Sequence, residues 1–218
     1  SNGILGRDIR LVVGDTRGDP AIARLEAERM ILEECVIGLT GVYHSAVGLV
    51  VKEVAREYGI PVIFAQASSD EIVADRYPEV FRIGPSAKMV NLAYARWIKN
   101  VGDLNEDGTI EVTVIAENAN GTVSRLESFN EMMSDFNLGM KPLLVNLGND
   151  DFSSVIARIV AEDRLPDFIF IWFNGDSGYA LMRALNDAAI GPANRTLIIA
   201  RKSALDHQRF WKEVPNGC

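Results

Sequence analysis

Along almost the whole chain, short apolar runs alternate with stretches whose apolar residues recur at helical spacing, and no other feature restricts the fold as tightly. The runs at 9–16, 36–40, 61–65, 111–116, 142–147, 168–173 and 196–200 are continuous rather than alternating. Strands of that kind suit a parallel sheet covered on both faces. Between them, helical spacing spans 20–34, 45–58, 86–100, 122–136, 152–161 and 179–189. Pro20 opens the first of these, Gly59 stops the second and Ser86 caps the third. Residues 68–78 read as a loop, 81–85 as a connecting strand and 101–108 as a turn rich in Asp, Asn and Gly. The fold class is therefore α/β. The strand number exceeds one small sheet, and Gly84-Pro85 lies midway between two similar series. This predicts two doubly wound parallel-sheet lobes, 1–84 and 85–218, with a single large Rossmann domain as the open alternative.

At 218 residues, length alone fits one large domain or two small ones. A composition of 48% hydrophobic and 24% charged residues demands a packed core. The net charge of -8 argues against a nucleic-acid partner, which would need a basic footprint. No apolar run reaches the roughly 18 residues of a bilayer crossing, so no direct membrane insertion is expected. Cys35 and Cys218 are too few for a disulfide framework and read as structural filler.

In open parallel sheets, ligands sit beyond the carboxyl ends of the strands, where helix N-termini present free N–H groups. The loops after the strands are thus the places to inspect. Residues 40–46, Thr-Gly-Val-Tyr-His-Ser-Ala, suit a carboxylate through hydroxyls and N–H groups; equally, Ser45 serves as a plain helix cap. Residues 66–69, Gln-Ala-Ser-Ser, have the same character. In the second half, Asn118 to Gly121, Asn174 to Asp176 and Arg201-Lys202 are polar, though each also fits ordinary turn chemistry. Trp172 and Phe173 end a strand and suit either an apolar part of the cleft or core packing. No glycine-rich nucleotide loop, nucleophile elbow or paired-histidine ligand set occurs, and His44 and Ser45 are adjacent at a helix start without an orienting acid. Neither catalysis nor a cofactor or metal is expected.

Several stretches then carry a resemblance. These are 3–7 with 11–15 and 18–20, then 37–46, 55–63, 81–86 and 116–121, in order and over nearly the whole chain. The chain resembles the type I periplasmic binding proteins, specifically the branched-chain amino acid receptor type that serves ABC transporters. The resemblance implies two lobes joined by a three-stranded hinge, a small-molecule ligand held between them, a membrane permease as partner and a periplasmic or extracytoplasmic location. The family pattern begins with a strand and helix upstream of Ser1 and continues past Cys218. It thus implies a receptor truncated at both ends, with lobe one incomplete. Carried over by position, Ser45 matches the hydroxyl that meets the ligand carboxylate, and Gln66, Ala67 and Ser68 match the second binding loop. Asn120 and Asn174 match cleft residues of lobe two. Near Lys202 such receptors commonly place an acid that pairs with a ligand ammonium. The Arg201-Lys202 found here shifts the expectation toward an organic or aromatic acid. A sensor domain that reports ligand binding to a partner is the alternative to a transport receptor.

Overall fold

The structure is a computed structural model that describes residues 6–118, 122–173, 176–200 and 207–214, the side chains of His207 and Gln208 excepted. The chain divides into two compact units, Ser1–Val90 and Asn91–Cys218.

In the first unit, Pro20 starts α1 (Pro20–Leu32) and Asp19 caps it, its carboxylate accepting from the Ala21 and Ile22 N–H groups at 2.7 and 3.0 Å. β1 (Leu39–Gly41), α2 (Ser45–Tyr58), β2 (Val62–Phe64), α3 (Glu71–Ala74) and β3 (Val80–Arg82) follow. The three strands form a parallel sheet in the order β1-β2-β3. α2 ends as its sequence requires: Gly59 takes φ 64 and returns its N–H to the carbonyls of Ala55 and Arg56. Val47, Val51, Val54 and Ala55 of α2 pack with Val62, Phe64 and Val80 of the sheet, while the small Ala23 and Ala27 bring α1 into the same core. The side chains that alternate with these, Ile63 and Phe81, stay exposed.

Three sequence expectations need correction here, the first being that residues 68–78, read as a loop, contain the short helix α3. Residues 9–16 form no strand: Ile9, Leu11 and Val13 are 67, 76 and 78% exposed. A strand exists only through its ladder, and no described strand lies beside this segment. The run at 81–85 does begin in a strand, as expected, but Phe81 and Arg82 belong to β3, the third strand of the first sheet, rather than to a separate connection. Gly84 follows β3 so closely against β2 that an added Cβ would lie 2.7 Å from the Ala65 carbonyl oxygen. Gly84→Ala is therefore expected to destabilise the first unit by about 1–3 kcal/mol, read as a lower urea midpoint with an unchanged slope.

The second unit contains most of α4 (Ala87–Val101), with Ser86 Oγ accepting from Met89 N–H at 3.1 Å. It continues through β4 (Glu111–Glu117), α5 (Thr122–Asp135), β5 (Gly139–Val145), α6 (Ser153–Val160), β6 (Phe168–Trp172), α7 (Ser177–Asp187), β7 (Leu197–Ala200) and α8 (His207–Glu213). Its four parallel strands run in the order β5-β4-β6-β7. Here both faces are covered. Val112, Val114, Phe168 and Phe170 pack with Ala95, Ile98, Leu126 and Phe129 on one side. Ile115, Ile169, Ile171 and Phe173 pack with Val155, Ile159, Leu181 and Leu185 on the other. This double cover is why β6 is buried at every position and reads as an unbroken apolar run.

Candidate functional site

In the first unit the chain leaves β1 through a strained corner, with Gly41 at φ 111 and the β-branched Val42 at φ 62. The corner sets the start of α2 immediately beyond the strand end. His44 is its N-cap residue in an extended conformation and makes no side-chain cap bond; its ring instead meets Tyr43 edge-on at 5.1 Å. Ser45 is thus the first residue of α2 rather than its cap. Its hydroxyl is turned to another task, accepting the Ser69 N–H at 3.2 Å.

That bond joins the two loops singled out in the sequence. The second loop is held from several sides. Ala67 N–H donates to the Val42 carbonyl at 3.2 Å, and Ala87 N–H donates to the Ser68 carbonyl at 2.8 Å. From the end of β3, Arg82 Nη1 donates to the carbonyls of Ser68 and Ser69, at 3.3 and 2.7 Å. Ala67 is buried in the core of the first unit, its methyl close to Gly48 of α2, so its side chain serves packing. Gln66 is exposed, and Ser45, Ser68 and Ser69 are half-buried. The result is a rim of hydroxyls and amides at the carboxyl ends of three parallel strands, beside a helix N-terminus that no side chain caps. This chemistry suits an anionic or strongly polar ligand.

At the corresponding strand ends of the second unit, Glu117 is a buried carboxylate. It accepts from Ser177 Oγ at 3.0 Å and from Gly148 N–H at 3.5 Å, while Thr122 Oγ1 donates to its carbonyl at 2.9 Å. From the end of β4, this one side chain thus reaches the loop that follows β5 and the start of α7 that follows β6. Trp172 lies in the core against Phe129 at 5.2 Å, with Arg125 over its ring at 5.2 Å, and Phe173 is fully buried; both serve packing. Asn120, Asn174 and Lys202 lie outside the described residues. Sequence reasoning missed Glu117 and Arg82. The signal for Glu117 was an acid that follows directly on the apolar run 114–116 at the carboxyl end of a strand; Arg82 carried none, since an arginine at a strand end is ordinarily solvated.

A groove of about 480 Å³ lies at the opposite end of the second sheet, lined by Glu111, Lys141, Arg158 and Glu162 among others. Lys141 is held there between Glu162 at 3.0 Å and Glu111 at 3.6 Å, and these bonds raise its pKa despite partial burial. The groove is remote from the strand ends where helix N-termini gather, which favours the rim as the binding site. Among the described residues, no group of acids, histidines or cysteines is arranged to hold a metal, and no helix is long and apolar enough to cross a membrane.

A family model for a periplasmic binding protein matches residues 1–203. Among solved structures, the chain is similar to a solute-binding protein of an ABC transporter from R. palustris in complex with benzoate. The identity is 21% and the TM-score 0.76, over 96% of this chain and 55% of that one. It is also similar to a leucine binding protein from Thermotoga maritima, with 21% identity, TM-score 0.75 and coverage of 98% and 57%. A third is a putative branched-chain amino acid ABC transporter protein from Rhodospirillum rubrum, with 21% identity, TM-score 0.64 and coverage of 99% and 59%. The chain thus spans somewhat more than half the length of these structures, and at such identities the likeness is one of fold. No curated protein matches it.

Proposed function

The chain belongs to the periplasmic binding protein family, and we propose that it is the ligand-holding part of an extracytoplasmic solute receptor that delivers a small polar molecule to the membrane permease of an ABC importer. The ligand is an amino acid or an organic or aromatic acid. The observation that carries this reading is the Ser45–Ser69 bond, which closes two hydroxyl loops into one polar rim beside the uncapped start of α2. A rim of that kind holds a carboxylate without consuming it, because it presents donors and no nucleophile–base pair. The arginine and lysine at 201 and 202 add support from sequence, since cations there favour an acid over an ammonium. Benzoate in one similar protein and leucine in another mark the two ends of the proposed ligand range.

Titration calorimetry of the intact protein against benzoate, 4-hydroxybenzoate and leucine tests the assignment. Saturable one-to-one binding of at least one is expected, weakened by about tenfold in Ser45→Ala through loss of one charge-assisted bond. Equal affinity in Ser45→Ala would remove the rim from the site.

A further inference from the structure

The first unit contains eight arginines, and their environments fall into two kinds with one exception. Arg10, Arg24, Arg29 and Arg56 each pair with a glutamate. Arg7, Arg17 and Arg76 are exposed, where water screens their charge. Arg82 alone is half-buried with no described carboxylate within ion-pair distance. Among the described residues it donates to two neutral carbonyls, those of Ser68 and Ser69, both through Nη1.

A half-buried cation without a counterion has lost part of its hydration and gained little Coulomb energy in return. Two carbonyl dipoles solvate it in part; an arriving anion would complete the arrangement. The position matters as much as the charge. Arg82 ends β3 and bonds the same loop whose Ser69 N–H is bonded to Ser45, so its positive field is delivered at the rim itself. The planar guanidinium also has donors besides Nη1, as a lysine would not in the same geometry.

We propose that Arg82 is the specificity-determining residue of the first unit: from its place against the 66–69 loop it supplies the positive potential that makes the site prefer a carboxylate over a neutral group of the same shape. This rests on the receptor reading above and names the chemical class that the receptor selects. Neutral amides of the same shape fill the site without that selection.

The test compares each acid with its own primary amide: benzoate with benzamide, and leucine with leucinamide, by calorimetry on the intact protein. The wild type is expected to prefer the acid by about tenfold or more. Arg82→Gln should erase the preference by weakening the acid about tenfold while leaving the amide within about twofold; Arg82→Lys, which keeps the charge, should retain it. Equal weakening of acid and amide in Arg82→Gln would mean that the residue only holds the loop, and overturns the assignment of selectivity. Should Arg82→Gln fail to fold, the salt dependence of the wild type decides. Acid affinity must fall with ionic strength and amide affinity must not; an acid affinity indifferent to salt overturns the proposal. Amides bound as well as acids by the wild type overturn it too, yet leave the receptor reading standing. Binding of none of the four compounds removes both.

Discussion

Asp167→Ala is expected to destabilise the second unit by about 3 kcal/mol, through the loss of one acceptor group that satisfies three backbone donors. Asp167 is fully buried at the start of β6. Its Oδ1 accepts from Leu104 N–H at 2.7 Å and Asn105 N–H at 3.2 Å, and its Oδ2 from Glu111 N–H at 2.9 Å. The carboxylate thus fastens the turn that follows α4 and the first residue of β4 to β6. Truncation to Ala leaves all three donors without that partner in a region only partly reached by water. Asp167→Asn keeps one acceptor oxygen but turns an amide toward a donor, so an intermediate loss is expected. Urea unfolding checks the size, and hydrogen exchange should show protection falling at residues 104, 105 and 111 first. A loss below about 1 kcal/mol would mean that solvent already serves these amides.

Phe170→Ala should cost more, about 3–5 kcal/mol. Phe170 is buried at the centre of β6, paired through β4 Val114 and β7 Ile199. Its ring meets Tyr94 edge-on at 5.0 Å and Phe129 at 5.3 Å, so two helices converge on it. Removing the ring leaves a cavity whose walls are a β-sheet and those two helices, and such walls collapse poorly. Phe170→Leu, which refills much of the volume, is expected to recover more than half of the loss. Chemical denaturation distinguishes them. Equal midpoints for the Ala and Leu variants would show that the cavity closes by relaxation, contrary to this account.

Much of the fold was legible because strands in a doubly covered parallel sheet must be continuously apolar, and 168–173 is readable for that reason alone. α2 was legible to the residue, since Ser45 opens the helical spacing and Gly59 ends it in the left-handed region. Residues 9–16 misled because apolar content specifies a strand only when a neighbour exists to pair with it. β3 was legible as a strand but was read as a connection between lobes because Gly84-Pro85 punctuates the chain directly after it, whereas Gly84 serves close approach to Ala65. α8 passed unread: seven residues are too few for a helical period to declare itself.

The candidate site was legible in its parts and not in its bonds. That ligand loops follow parallel strands is a rule of topology, so Ser45 and the 66–69 loop could be singled out from sequence as candidates. The hydrogen bond between Ser45 and Ser69 spans 24 residues and is a product of packing. The same holds for Glu117, whose partners Gly148 and Ser177 lie 31 and 60 residues away. Arg82 was invisible for a further reason. What sets it apart is that no acid among the described residues lies beside it in space, and sequence carries no record of that.

The measurement that tests the central claim most directly is thermal unfolding of the intact protein against amino acids, aromatic acids, their amides and nucleotides. A ligand at a hundredfold excess over its dissociation constant stabilises the native state by about 2.7 kcal/mol, enough to register as a clear rise in melting temperature. A solute receptor with an anion-selecting rim predicts that rise with an aromatic acid or an amino acid, and none with nucleotides. A rise with nucleotides alone would contradict the receptor account and return a nucleotide-binding enzyme to consideration.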